Sequence, residues 1–190
     1  MLHSAALIAG GKSTRMGHDK AAIILHGHPL WRCQLDVLAE TQPGLLFVAG
    51  HCAAIPPGGA SIVPDHWPDS GPLAGLATAL AHATEPWLLV LAVDMPAMTP
   101  AYLRTLLAHA QRTGRGAVPV LDEEWEPLAA VYPVEALTIA RQMVVAHRLD
   151  MKAFIDSARD AGLLDAVPVA EKERPLFVNL NTPGDLAGLV

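Results

Sequence analysis

A short segment near the start of the chain holds its densest chemistry. Gly10-Gly11-Lys12-Ser13-Thr14-Arg15-Met16-Gly17-His18-Asp19-Lys20 interleaves three glycines with three cations directly after an apolar run, Ala5–Ala9. Glycines let the backbone approach a phosphate and turn its amides toward it, while Lys12, Arg15 and Lys20 supply the countercharge of a triphosphate. Read only as a turn, the same residues would be a Gly-rich strand-to-helix connection with solvated cations. Gly-Lys-Ser is not the end of a Walker A loop, because that pattern requires glycine at Ala6, inside the strand. There is no G-x-G-x-x-G dinucleotide fingerprint and no G-x-S-x-G nucleophile elbow.

Three further segments carry polar residues at similar places. Asp94 follows Trp87–Val93, the most apolar run, and precedes Met95-Pro96. A carboxylate there either caps the turn or holds a hard cation such as Mg²⁺, which takes oxygen ligands and commonly needs one or two carboxylates plus substrate phosphates. Ser70-Gly71-Pro72-Leu73-Ala74-Gly75 opens a helix, where free amides and the helix dipole favour an anion or a polar ligand edge; the plain alternative is a turn with close helix packing. Asp65, just before it, is either an acceptor for a base or ribose or a solvent-facing turn aspartate. In Phe177-Val178-Asn179-Leu180-Asn181-Thr182-Pro183, Asn179 and Asn181 lie two apart and share a side if the segment is extended. Their alternative role is turn and cap chemistry. The histidines, His26 and His28 included, form no H-E-x-x-H and no Cys/His cluster, so zinc is not expected.

Elements at the right spacing position these residues. Strands are expected at Ala5–Ala9, Leu45–Ala49, Ser61–Val63, Trp87–Val93, Ala117–Val120, Leu128–Tyr132 and Leu176–Leu180. Helices are expected at Pro29–Glu40, Leu73–Ala83, Pro100–Gln111 and Val134–Ala146, with Pro29, Pro100 and Pro183 at helix starts and Thr99 and Thr182 as N-caps. Strands apolar throughout are buried on both faces, so the fold class is α/β, three-layered, with a mostly parallel sheet and one domain over 1–190. Ligands of such sheets bind beyond the carboxyl ends of the strands, which is where the four segments fall.

The 190 residues are 52% apolar and 17% charged, with a net charge of −6 and mean hydropathy of +0.31. That composition excludes disorder. The longest apolar run is far below the roughly 18 residues of a spanning helix, so no membrane insertion is expected. Net negative charge without a Lys/Arg cluster argues against nucleic acid as a partner. No basic leader precedes the first strand, and Cys33 and Cys52 form no C-x-x-C pair; both point to a reduced, cytoplasmic protein.

Taken together, Ile8–Gly17 with Asp19-Lys20, Gly27-His28-Pro29-Leu30-Trp31, Gly71–Gly75, Asp94-Met95-Pro96 and Phe177–Pro183 resemble the molybdenum cofactor guanylyltransferases, the MobA-type branch of the nucleotidyltransferases. The resemblance runs nearly end to end. It implies a Rossmann-like nucleotidyltransferase fold, Mg²⁺ as cofactor, and transfer of GMP from GTP to the phosphate of the molybdopterin cofactor with release of pyrophosphate. It further implies that Ile8, Ala9 and Gly10 set backbone atoms against the nucleotide, and that Gly11, Arg15 and Lys20 hold phosphates. Asp65 would bind the guanosine part and Asp94 the metal, with Gly71 and Gly75 shaping the nucleotide pocket and Asn179 and Asn181 lying toward the metal and pterin. Other cofactor-assembly proteins or an apo-molybdoenzyme are the transient partners it suggests. One departure is visible: where the family tends to carry an asparagine after its second main strand, this chain reads Ala49-Gly50-His51. A missing side-chain contact there bears on base selectivity, which leaves open a transferase using CTP or another phosphorylated acceptor. A non-catalytic nucleotide-binding adaptor is the rival from another class. The acidic stretch Asp122, Glu123, Glu124 and Glu126 is expected to be a solvated loop.

Overall fold

The computed structural model describes residues 1–9, 20–25, 27–50, 54–56, 60–68 and 70–180. Its strands are β1 Ser4–Ile8, β2 Ile24–Leu25, β3 His28–Pro29, β4 Leu45–Ala49, β5 Ile62–Val63, β6 Trp87–Ala92, β7 Gly116–Leu121, β8 Glu124–Trp125, β9 Ala129–Pro133 and β10 Leu164–Pro168. The helices are α1 Leu30–Ala39, α2 Gly71–His82, α3 Pro100–Thr113, α4 Leu137–Val145 and α5 Met151–Asp160. Short 3-10 turns cover Lys20–Ala22, Val134–Ala136 and Glu171–Phe177.

The main sheet has the order β10-β7-β9-β6-β1-β4-β5, with β8 paired to β7 and the β2–β3 ribbon separate. Neighbours are parallel except around β9, which runs against both β6 and β7, and the β7–β8 hairpin. The sheet is therefore mostly parallel, as the continuous apolar runs predict. Because side chains alternate along a strand, each run feeds two cores. Ala5, Leu7, Val48, Leu89 and Leu91 pack with Trp31, Leu35 and Leu38 of α1 and Leu103 and Leu106 of α3. Ala6, Ile8, Phe47, Ala49, Leu88 and Val90 pack with α2, α4 and α5. Helix α2 is buried continuously from Leu73 to Leu80, since α4 and α5 cover the side that the sheet does not.

Local signals explain most boundaries. At α3, the Thr99 hydroxyl accepts the N–H of Tyr102, Pro100 occupies the first turn, and Gly114 closes the helix with φ +69°. At α1, Pro29 itself is the cap, with extended backbone. The helix expected at Val134–Ala146 starts as a 3-10 turn and becomes α only at Leu137. Helix α5, strand β10 and the two-residue strands β2, β3 and β8 were not foreseen, and one expected strand fails. Leu176–Leu180 is not a strand: the 3-10 turn ends at Phe177 and no regular element follows through Leu180. Pro175 lies in that 3-10 turn, and beyond it the Leu180 N–H bonds the carbonyl of Asp94 in a turn rather than a strand of the sheet. The helix expected from Pro183 lies outside the described residues.

The chain leaves β1 through α1 for β4 and β5 on one side, then returns through α2 to β6 on the other. The β1/β6 boundary is thus the point where the winding reverses, and in open α/β sheets a crevice opens there.

Candidate functional site

At that boundary Asp94, two residues past the end of β6, meets Lys20 from the 3-10 turn before β2. Lys20 Nζ donates to Asp94 Oδ2 at 3.3 Å, with the side chains 18% and 27% exposed. Such partial burial strengthens the pair relative to one in open water and still leaves it reachable by a ligand. The backbone locks the strand ends together: the Val93 N–H donates to the Ile8 carbonyl at 3.2 Å and the Ala9 N–H to the Ala49 carbonyl at 3.1 Å.

A second group lies on the α2 side of the sheet. Asp65 is half-buried, and its Oδ1 is buried without a hydrogen-bond partner. Loss of water around it pushes the carboxyl above the usual aspartate range, an effect that nearby His66 partly opposes. A Cβ built on Gly75 would stand 3.9 Å from that oxygen and 3.5 Å from Ile8 Cγ2, so Ile8, Asp65 and Gly75 converge. These are ordinary contact distances, so the protein alone does not demand glycine at 75. Gly71, the first residue of α2, has φ +75°, which favours glycine.

The C-terminal segment reaches the same place. The Leu180 N–H donates to the Asp94 carbonyl at 2.8 Å, which sets exposed Asn179 beside the Asp94 turn. Phe177 anchors the approach by packing edge-on against Tyr102 of α3, with ring centroids 5.3 Å apart. Of the residues singled out from sequence, Ile8, Ala9, Lys20, Asp65, Gly71, Gly75, Asp94 and Asn179 therefore sit at the carboxyl ends of β1 and β6 or along the approach to α2. Gly10, Gly11, Lys12, Arg15, His26, His51 and Asn181 lie outside the described residues.

The acidic stretch divides. Asp122, Glu123 and Glu124 are exposed at the β7–β8 hairpin, and Arg174 clasps the Asp122 carboxylate with two guanidinium nitrogens. Glu126 departs from the expected solvated loop. It is half-buried, and burial, with Asp94 adding to it, raises its carboxyl above the usual range. A turn before β9 accounts for this placement. The β6–β9 pairing ends at Leu91 and Ala129, and a turn closed by the Ala129 N–H on the Glu126 carbonyl, with the Glu126 N–H on the Pro119 carbonyl of β7, sets Glu126 at the crevice end of the sheet. In the sequence, four acidic residues in a row of five hide which one turns inward. Among the described residues no group of three or more His, Cys, Asp or Glu gathers at metal-binding distance. Among the described residues at the β1/β6 crevice, the carboxylate of Asp94 is the oxygen donor able to hold a hard cation, and the charge of Glu126 is felt there. Among the described residues, too, no helix is long and apolar enough to cross a membrane.

Comparison with known proteins agrees with this geometry. A family model described as a MobA-like NTP transferase domain matches residues 5–176. A protein of Xanthomonas euvesicatoria pv. vesicatoria named "Molybdenum cofactor guanylyltransferase" is 33% identical over 188 residues, spanning 97% of this chain and 92% of its own. One of Opitutus terrae, named "Probable molybdenum cofactor guanylyltransferase", is 36% identical over 184 residues, spanning 95% of this chain and 91% of its own. The solved structure of molybdopterin-guanine dinucleotide biosynthesis protein A from Archaeoglobus fulgidus superposes with a TM-score of 0.80 at 25% identity, covering 98% of this chain and 96% of that one. At 20% identity, 2-C-methyl-D-erythritol 4-phosphate cytidylyltransferase from Thermus thermophilus shares the fold, with a TM-score of 0.73 and coverage of 100% and 97%.

Proposed function

We propose that this chain, which belongs to the MobA-like NTP transferase family, transfers GMP from GTP to the phosphate of molybdopterin cofactor and releases pyrophosphate. The observation that carries the reading is the Lys20–Asp94 pair at the β1/β6 crevice, a cation and a hard-oxygen carboxylate 3.3 Å apart at the place where an α/β sheet binds its ligand. The relatives' names supply the identities of donor and acceptor.

In this reaction an acceptor phosphate oxygen attacks the α-phosphorus in line, and the bond from that phosphorus to the oxygen bridging α and β breaks. Pyrophosphate carries the electron pair away. Both reactants are anions and the nucleophile is already ionised, so the chain's task is neutralisation and alignment rather than proton abstraction. Lys20, with Arg15 from the Gly-rich segment, would meet the charge that grows on the leaving pyrophosphate. Asp65, whose Oδ1 lacks a protein partner, would accept hydrogen bonds from the guanosine part, with Gly75 leaving room beside it and Ile8 forming the floor. Asp94 fits Mg²⁺: it is a partly exposed carboxylate, and Mg²⁺ commonly takes one or two protein carboxylates with phosphate oxygens and water completing its shell. Bound there, Mg²⁺ would draw charge off the phosphates as a Lewis acid. Asn179, beside the Asp94 turn, would lie on the acceptor side, a role the resemblance gives to Asn181 as well. A cytoplasmic location follows from the substrates as we read them.

The test is pyrophosphate release by the purified chain with molybdopterin, supplied in turn with GTP, CTP, ATP and UTP and with or without Mg²⁺. We expect release that requires GTP, acceptor and Mg²⁺ together. A preference for CTP would overturn the guanine assignment, and GTP binding without release would overturn catalysis.

A further inference from the structure

Gln34 in α1 is fully buried, surrounded by the apolar cluster that includes Trp31, Leu35, Leu38 and Met95. Its Nε2 donates to the Met95 carbonyl at 3.1 Å, yet its Oε1 is buried with no hydrogen-bond partner. An unmatched carbonyl oxygen in such surroundings is destabilising, and methionine would fill the same space without it. Satisfying Met95 does not require Gln34 either, because the Met98 N–H donates to the same carbonyl at 3.1 Å. Neither packing nor hydrogen-bond satisfaction thus accounts for a carboxamide here.

Its location does. Met95 follows Asp94, so Gln34 grips the second peptide beyond the carboxylate, while the Leu180 N–H grips the first through the Asp94 carbonyl. Successive carbonyls of one turn are held by two elements far apart in sequence. We infer that Gln34 is a positioning residue for Asp94, fixing the turn so that the carboxylate faces Lys20 and the divalent cation of the bound nucleotide. This rests on the function proposed above and adds a residue to it. Second-shell partners that aim a ligand carboxylate commonly change metal affinity or activity by about 10–100-fold when removed.

Gln34→Met removes the donor and the orphan oxygen at nearly constant volume. The variant is expected to keep or slightly raise its Tm, while Mn²⁺ affinity, read by electron paramagnetic resonance with a non-hydrolysable GTP analogue present, weakens by about tenfold. The Mg²⁺ concentration for half-maximal turnover should rise in step, with KM for GTP at saturating Mg²⁺ nearly unchanged. A folded variant with wild-type Mn²⁺ affinity overturns the inference. A readout on the unaltered chain covers the case of a variant that does not fold: the Gln34 side-chain amide resonances should shift when Mg²⁺ is added to the analogue-bound protein, and no shift overturns the inference equally. Failure of the unaltered chain to respond to Mg²⁺ and GTP at all would instead sink the guanylyltransferase reading.

Discussion

Lys20 and Asp94 neutralise each other across 3.3 Å, so each also sets the field that an incoming triphosphate meets. Lys20→Ala and Arg15→Ala are expected to lower turnover by roughly 10²–10³, the scale for losing one preorganised donor, with single-turnover kinetics as the measurement. Asp65 makes an opposite trade. Its folded pKa is raised, so the ionised carboxylate destabilises the fold as pH climbs from the unfolded value near 3.8 through the raised one, and the cost is complete above it. Asp65→Asn should therefore raise Tm at pH 7.5 and lose that advantage at pH 3, as thermal denaturation at the two pH values would register. The same variant should weaken GTP binding, measured by calorimetry. Asp94 and Lys20 were legible in the sequence because a carboxylate ending the most apolar run and a lysine closing a Gly-rich segment are conspicuous. Glu126 was not, since only the turn before β9 separates it from its acidic neighbours.

At the level of elements, the strands most visible in the sequence are those with two buried faces, such as β6. Edge strand β10 reads Leu-Asp-Ala-Val-Pro, with Asp165 occupied by His109 at 3.0 Å and Arg115 at 3.3 Å. Charge and proline guard an edge against further pairing and at the same time erase its strand signal. Helix α5 hides similarly. It is short, with Lys152, Asp156, Arg159 and Asp160 on its outside, although its Asp150 cap accepts the Ala153 N–H and was there to be read. Between β9 and β10 the sheet is tight at Gly116, where an added Cβ would lie 2.5 Å from the Val131 carbonyl oxygen and 2.6 Å from Leu164 Cδ2. The carbonyl is backbone and cannot swing aside. Gly116→Ala should cost about 2–3 kcal/mol and lower Tm by roughly 4–12 °C, as thermal denaturation would register. The Lys20–Asp94 distance lies far along the sheet from this point, so KM for GTP in the cold should be unaffected.

Across the whole molecule, the two ends of β1 serve different ends. The carboxyl end faces the crevice; the amino end is sealed by His3, which is 3% exposed and hydrogen-bonded to Thr41 Oγ1 at 3.0 Å and to the Met1 carbonyl at 3.1 Å. Burial lowers the His3 pKa below its ordinary 6.5, so the unfolded chain takes up a proton first as pH drops. Stability contributed here is complete above pH 6.5 and is lost as pH falls from there toward the lowered folded value. Denaturant midpoints should decline over that window and flatten in His3→Gln, with nucleotide affinity untouched at constant pH.

The bond from Leu180 to Asp94 also sets an order of events during synthesis. The β4–β1–β6 pairing, with β5 beside β4, can form while the chain is still emerging, because those strands all precede residue 94, although β6 must wait for β9 on its other edge. The Asp94 turn acquires its second tether only after residue 180 has left the ribosome, seconds later at about 5–20 residues per second. A nascent chain therefore carries one half of its crevice well before it can close it, and GTP would find a finished site only once residue 180 has emerged.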